Sequence, residues 1–147
     1  MPPLILASNS PRRRHLLTEH GYAFRVVPAD ITEIAPPHMS PGEITLYNAR
    51  AKSLFVSRAE PNSLVLGVDT LVAFAGAVLG KPKNMQEAFL MVKCLNGRTH
   101  DVYSGVWLRH AASKRERGFI DIHKPIPLAQ LPTAHILRRV ADGLRKL

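Results

Sequence analysis

The chain has few of the features that define several common protein classes. Its 147 residues include one cysteine, Cys94, so an internal disulfide is excluded. No apolar run reaches membrane-spanning length, and the start resembles a core strand rather than a cleavable signal, which predicts a cytoplasmic protein without membrane contact. The seven histidines show no metal-ligand spacing with the cysteine. These absences favour an ordinary globular domain.

Acidic residues are also scarce, and the net charge is +9. Such a balance is compatible with nucleic-acid binding. However, residues 1–110 contain 12 Lys and Arg against 8 Asp and Glu, whereas residues 111–147 contain 8 against 3. The basic clusters of this tail, 114–117 and 138–139, have no aromatic residues interleaved with them for stacking on bases. We therefore interpret the tail, residues 111–147, as a solvated face and keep a nucleic-acid-binding module as a weaker alternative. The modest positive charge of residues 1–110 suits an anionic substrate.

The most informative segment is the apolar run 4–7, which stops at small hydroxyl residues followed by arginines. It predicts a buried strand, a tight turn and a helix with Ser10 as N-cap and Pro11 at its first position. The free N–H groups of a helix start beyond a strand end favour phosphate, and Arg12 and Arg13 add planar donor groups. A solvated basic face explains the arginines about equally well.

A second apolar run, 63–67, predicts another buried strand that ends near Asp69. That aspartate fits a turn residue as well as a catalytic one. Residues 76–82 suggest a hairpin in which Lys81 stands between Gly80 and Pro82. The glycine spacing is one residue short of a Walker A loop, and a proline replaces the metal-binding hydroxyl residue. Lys81 is therefore open to two interpretations, a solvated turn residue or a placed charge.

Taken together, the motifs resemble the Maf family, known from septum-formation inhibitors, whose members are nucleoside triphosphate pyrophosphatases. The resemblance covers about residues 3–108 and also includes the segments 30–33 and 48–52. The motifs, in family order and spacing, are Leu-Ala-Ser-x-Ser-Pro-Arg-Arg from Leu6, Gly-x-Asp-Thr from Gly67, Leu-Gly-Lys-Pro from Leu79, and Leu-x-Gly-Arg-Thr-His-x-Val-Tyr from Leu95.

This resemblance implies hydrolysis of the α–β phosphoanhydride of a nucleotide. It makes Asp69 the general base and Glu33 a carboxylate that shares a divalent cation with Asp69. Mg²⁺, or Mn²⁺ in its place, suits a site with only oxygen ligands. The resemblance further places Lys52 and Lys81 on the phosphates, with Lys81 in the catalytic set. Ser8 and Arg13 would help to cradle the phosphates.

Two positions bear on nucleotide preference. In the family, the residues that match Arg12 and Thr70 vary with the substrate. Arginine and threonine resemble the subgroup that hydrolyses dTTP and UTP, whereas the subgroup acting on 7-methyl-GTP has Trp and Gln there. The resemblance therefore implies pyrimidine specificity.

The expected fold is α/β, a single domain over residues 1–147 with an elongated mixed sheet and flanking helices. Family members continue with a segment resembling Asp-Lys-Ala-Gly-x-Tyr-x-Ile-Gln-Gly, which is not present here, and residues 111–147 diverge. We therefore expect an incomplete second lobe and keep an impaired nucleotide-binding or regulatory remnant as an alternative. The resemblance also implies a homodimer. Apolar patterns predict strands near 3–7, 23–27, 63–68, 70–74 and 101–109, and helices near 11–19, 41–58, 84–95 and 129–141. The run 124–127, with two prolines, breaks any helix and separates a possible edge strand from the last helix.

Overall fold

The computed structural model describes residues 1–74, 77–79, 84–86, 89–90 and 100–123. This part of the chain contains the helices α1 and α2, six strands and further helical residues at 85–86 and 89–90, and these element types confirm the α/β class. In chain order they are β1 (Leu4–Leu6), α1 (Pro11–Glu19), β2 (Phe24–Val26), α2 (Pro41–Ala59), β3 (Leu64–Phe74), β4 (Ala77–Leu79), β5 (Asp101–His110) and β6 (Arg115–His123).

All six strands belong to one mixed sheet with the order β2-β1-β3-β5-β6, and β4 pairs with β3 off this path. The central β1 is parallel to β2 and to β3. The long β3 then pairs antiparallel with β5 over ten residues, and β5 pairs antiparallel with β6. Because β1 pairs with the first residues of β3, the turn after β1 lies next to the following part of β3, where the predicted residues Asp69 and Thr70 stand.

The two faces of the sheet have separate cores. The face that packs on α1 has a cluster of large aliphatic residues, in which Leu17 of the helix contacts the strands. The other face packs on α2, whose Val56 joins Ile5 and Val65 in a second cluster. Side chains alternate between the faces along each strand, so neighbouring residues of β3 contribute to different cores. Among the described residues, no helix combines the length and hydropathy needed to cross a membrane.

Helix α2 lies unusually close to the sheet because glycines face it. A Cβ atom added at Gly67 would overlap the carbonyl oxygen of Ala49, and one added at Gly105 would overlap the backbone of Thr45. We expect Gly67→Ala to lower the free energy of unfolding by about 2 kcal/mol, because backbone rather than a flexible side chain must shift. Urea unfolding monitored by circular dichroism measures this change.

Gly42 is the matched control for that substitution. It lies on α2, whereas Gly67 lies on β3, and the atoms that an added Cβ would meet belong to side chains, the nearest being the end of the flexible Ile120 side chain at 3.2 Å. Gly42→Ala should therefore change the free energy of unfolding by no more than about 0.5 kcal/mol. Equal losses in the free energy of unfolding for Gly42→Ala and Gly67→Ala would show that close packing at Gly67 is not the cause of the destabilisation.

Two sequence predictions about strands need correction. The segments 63–68 and 70–74 form one continuous strand, because β5 pairs with β3 from Leu64 to Ala73 without a break at Asp69. The basic segment after residue 113 is not merely a solvated tail, since residues 115–123 form β6. In the described part of the predicted hairpin 76–82, residues 77–79 form β4 and pair antiparallel with β3, whereas 76 and 80–82 lie outside the described residues. Most of the predicted helix 84–95, including Cys94, and all of 129–141 lie outside the described residues.

Strand β6 is held by polar contacts on the side of α2. Glu116 accepts hydrogen bonds from the guanidinium of Arg109 and from the indole of Trp107, and Arg50 of α2 lies over the Trp107 ring at 5.4 Å. Burial raises the pKa of Glu116, but these hydrogen bonds together with the charges of Arg109 and Arg50 bring the pKa below its ordinary value. These side-chain contacts therefore add to the backbone pairing with β5 that joins β6 to the sheet.

Candidate active site

The end of β1 and the start of α1 form the first part of the site. Ser10 caps the helix, as predicted, and its hydroxyl accepts a hydrogen bond from the Arg13 backbone N–H at 3.3 Å. The Ser8 hydroxyl accepts from the Ser10 N–H at 3.2 Å and from Nη1 of Arg13 at 2.9 Å. The turn therefore directs the Arg13 side chain back over the strand end.

Arg13 also reaches β3. Its Nη2 donates to the Thr70 hydroxyl at 3.3 Å, and that hydroxyl lies 3.4 Å from the Ser104 hydroxyl of β5. Burial lowers the pKa of the Arg13 guanidinium, while the nearby carboxylates of Asp69 and Glu33 act in the opposite direction. Because an arginine stays protonated in proteins, the site holds a fixed cation.

A lysine joins the two predicted carboxylates. Nζ of Lys52 donates to Oε1 of Glu33 at 2.9 Å, to Oδ1 of Asp69 at 3.4 Å and to the Val68 carbonyl at 3.2 Å. The Asp69 side chain is only 4% exposed, whereas that of Glu33 is 35% exposed. The aspartate is thus a buried charge that is paired, and the glutamate lies where solvent and ligands have access.

Asn48 is a site residue that the sequence analysis did not single out. It lies one helical turn before Lys52 on α2, it is 2% exposed, and its Nδ2 donates to Oδ2 of Asp69 at 3.1 Å. The same amide binds both backbone groups of Ile34, which follows Glu33. The spacing of four residues from Lys52 was visible in the sequence, because it places both side chains on one helix face.

The structure brings together six of the eight predicted site residues through the contacts given above: Ser8, Arg13, Glu33, Lys52, Asp69 and Thr70. Arg12 lies on the first turn of α1 with an exposed side chain. Lys81 lies outside the described residues, so its predicted convergence with Asp69 stays a prediction. The catalytic and binding roles assigned to these residues also stay predictions, because the structure shows where the side chains lie and not which reaction they carry out.

The carboxylates fit a metal ion that is shared with a ligand. Glu33 and Asp69 lie within 3.4 Å of the same Lys52 nitrogen, so their oxygens are near each other. In the part of the chain that the structure describes, no group of three or more His, Cys, Asp or Glu side chains is placed to hold a metal. Mg²⁺ commonly binds to one or two carboxylates and completes its shell with water and substrate phosphates. This donor set suits that arrangement and not a cage made of protein ligands alone.

Comparison with known proteins decides the family. The model of the family described as "Maf-like protein" matches residues 3–144. The chain belongs to this family. The resemblance based on the sequence motifs is therefore confirmed, and the Maf-like match extends beyond the segment that the motifs cover.

Curated relatives of this Maf-like chain are named dTTP/UTP pyrophosphatase. One from Akkermansia muciniphila is 47% identical over 109 residues, covering 74% of this chain and 58% of the relative. One from Carboxydothermus hydrogenoformans is 38% identical over 121 residues, covering 82% and 64%. The chain thus spans less than two thirds of the length of these relatives.

A solved structure supports the Maf-like fold independently. The Ham1 protein of Staphylococcus aureus superposes with a TM-score of 0.52 at 14% sequence identity, covering 85% of this chain and 72% of that one. This likeness concerns the fold alone, and it agrees with the mixed sheet and flanking helices described above.

Proposed function

We propose that this Maf-like chain hydrolyses the α–β phosphoanhydride of dTTP or UTP and releases the nucleoside monophosphate and pyrophosphate. The observation that carries the proposal is the contact of one buried lysine, Lys52, with both Asp69 and Glu33, beside the fixed guanidinium of Arg13. The printed names of the relatives support the same reaction and the same nucleotides.

In the proposed reaction Asp69 acts as the general base. Its carboxylate accepts a proton from a water molecule while the water oxygen forms a bond to the α-phosphorus, and the bond from that phosphorus to the bridging oxygen of pyrophosphate breaks. The fixed position of Asp69 beneath Lys52 and Asn48 favours this role, because orientation of base and water lowers the barrier without further ordering.

The cations of the site bind the phosphates. We propose that Arg13 and Lys52 contact phosphate oxygens and offset the negative charge that develops on them, and that the Ser8 hydroxyl adds a hydrogen bond. We assign the same phosphate role to Lys81, which follows the β3–β4 hairpin. Arg13, Lys52 and Ser8 are held by contacts within the protein before the substrate binds, so little reorganisation of these groups is needed during the reaction.

We propose Mg²⁺ or Mn²⁺ as the cofactor. Glu33 and Asp69 would hold the ion, and the ion would supply further charge neutralisation at the phosphates. Glu33 suits this role because its side chain is accessible to solvent. Asp69 suits it because its buried carboxylate is held in one position by the protein.

Nucleotide choice is assigned to two residues that are exposed to solvent. We propose that exposed Arg12 and Thr70 select a pyrimidine nucleotide. Thr70 is well placed for this because its hydroxyl is already oriented by Arg13 and Ser104.

A pyrophosphate-release assay with a nucleotide panel tests the proposed function. In the presence of Mg²⁺ or Mn²⁺, we expect turnover of dTTP and UTP at least about tenfold faster, in kcat/KM, than that of purine nucleotides or 7-methyl-GTP, since one lost polar contact is worth about that much. Folded protein that turns over no nucleotide refutes the proposal. Calorimetric binding of dTTP without hydrolysis would instead support the impaired remnant.

We further propose that the protein works as a homodimer in the cytoplasm. Two aromatic side chains on the outer face of α2, Tyr47 and Phe55, are 53% and 42% exposed and provide apolar surface. Sedimentation equilibrium should give twice the mass of 16.3 kDa. A monomer at all concentrations would contradict this assembly.

A further inference from the structure

We propose that Asn48 is a positioning residue that holds the segment bearing Glu33 at a set distance from Asp69. The inference rests on the proposed function, because it concerns the two carboxylates of that reaction. Asn48 itself lies behind them, 2% exposed, and acts through Asp69 and the backbone next to Glu33.

Every hydrogen-bonding atom of the Asn48 amide is in use. Nδ2 has two N–H groups, and it donates to Oδ2 of Asp69 at 3.1 Å and to the carbonyl of Ile34 at 2.9 Å. Oδ1 accepts from the backbone N–H of Ile34 at 2.9 Å. Two donors and an acceptor at the end of a short side chain are a combination that an asparagine amide supplies. An aspartate would instead place a second carboxylate against Asp69.

These bonds matter because the Glu33 segment has no regular structure of its own. Residues 27–36, between β2 and α2, form neither helix nor strand. The N–H and the C=O of Ile34 both bond to the buried Asn48 side chain of α2. The residue next to Glu33 is therefore fixed through both of its backbone groups, as a hydrogen-bonded residue in a β-ladder is. The position of Glu33 is then set by α2 and not by the loop alone.

Asn48 and Lys52 complement each other in holding Asp69. Lys52 binds Oδ1 and Asn48 binds Oδ2, from positions one turn apart on the same helix face. The plane of the Asp69 carboxylate is therefore fixed at both oxygens, and the same helix also fixes Glu33 through Ile34. A change at residue 48 is expected to misplace the carboxylates without removing any group that touches the substrate.

The test compares Asn48→Leu with Thr45→Val. Both replace a buried polar side chain of α2 by an apolar one of similar size, but the Thr45 hydroxyl bonds only to carbonyls of its own helix. For dTTP we expect Asn48→Leu to lower kcat by about 30-fold with KM within about twofold, because geometry rather than binding is lost. Thr45→Val should leave both constants within about twofold of the wild type.

Amide hydrogen exchange of Ile34 gives a readout that does not depend on activity. Its protection should fall at least about tenfold in Asn48→Leu and stay unchanged in Thr45→Val, at matched global stability. Unchanged Ile34 protection, or faster Ile34 exchange with wild-type kcat, overturns the positioning role. If the wild-type chain itself releases no pyrophosphate, the proposed function fails, and the exchange of Ile34 still decides whether Asn48 holds this segment.

Discussion

Asp69→Asn is expected to lower kcat for pyrophosphate release by about 10³-fold while the protein stays folded. The substitution keeps the size of the side chain and removes its ability to accept a proton from water, and a positioned general base contributes about 10²- to 10⁴-fold. The fold should persist because Lys52 keeps its 2.9 Å ion pair with Glu33. Steady-state kinetics with dTTP, together with circular dichroism, measure both outcomes.

Asp30→Asn is the control for that result. Asp30 is an exposed carboxylate three residues before Glu33, so its removal changes the net charge by the same amount without touching Asp69 or Lys52. We expect wild-type kcat within about twofold. If Asp69→Asn retained more than a tenth of the activity, another group would have to accept the proton.

Lys52→Met should cause the largest loss of stability of the substitutions considered, about 3 kcal/mol in the free energy of unfolding. The variant leaves the buried Asp69 carboxylate facing Glu33 without the cation that binds both, and breaking a buried ion pair typically costs this much. Methionine retains the apolar stem of the lysine, so the loss reports the charge. Urea unfolding at neutral pH measures it.

Double-mutant analysis separates this effect from simple packing. Asp69→Asn combined with Lys52→Met removes the cation and one of its carboxylates together, so the double variant should be less destabilised than the sum of the single changes by about 1 kcal/mol or more. Lys114→Met, at an exposed lysine in the turn before β6, should be near neutral. Strict additivity would contradict the coupling between Lys52 and Asp69.

Local sequence rules predicted the parts of the fold that depend on neighbouring residues. Ser10 and Pro11 define the start of α1 through capping chemistry that acts within one helical turn. The position of Asp69 was less predictable, since a lone carboxylate after an apolar run is typical of a strand end. The strand continues through Asp69 because β5 pairs along it, and Asn48 and Lys52 satisfy the buried carboxylate from another element. Such partners are not visible in the local pattern.

The sequence indicated β6 only as a possible edge strand before the break at 124–127, for a similar reason. Its first residues are charged, which is typical of a solvated segment, but Arg109 and Trp107 of β5 bind Glu116 and attach the strand. Gly118 then lies against the Trp107 ring, where any larger residue would overlap it. These cross-strand contacts depend on register, which the sequence pattern alone does not determine.

The sequence predicted which residues form the candidate site better than it predicted how they contact one another. The family motifs identified Ser8, Arg13 and Asp69, because each stands in a motif with fixed spacing. They did not indicate that Asn48 joins the Glu33 segment to Asp69, since its partner Ile34 lies in a loop without a periodic pattern. Contacts between a helix and an irregular loop require the folded structure.

Hydrolysis of dTTP in ¹⁸O-labelled water tests the central claim most directly. With Mg²⁺ present, the wild-type chain should yield dTMP that has incorporated ¹⁸O and pyrophosphate that has not, because water attacks the α-phosphorus, and Asp69→Asn should yield neither product above background. Release of dTDP and inorganic phosphate, or label in the pyrophosphate, would contradict the reaction assigned to the carboxylates that Lys52 binds.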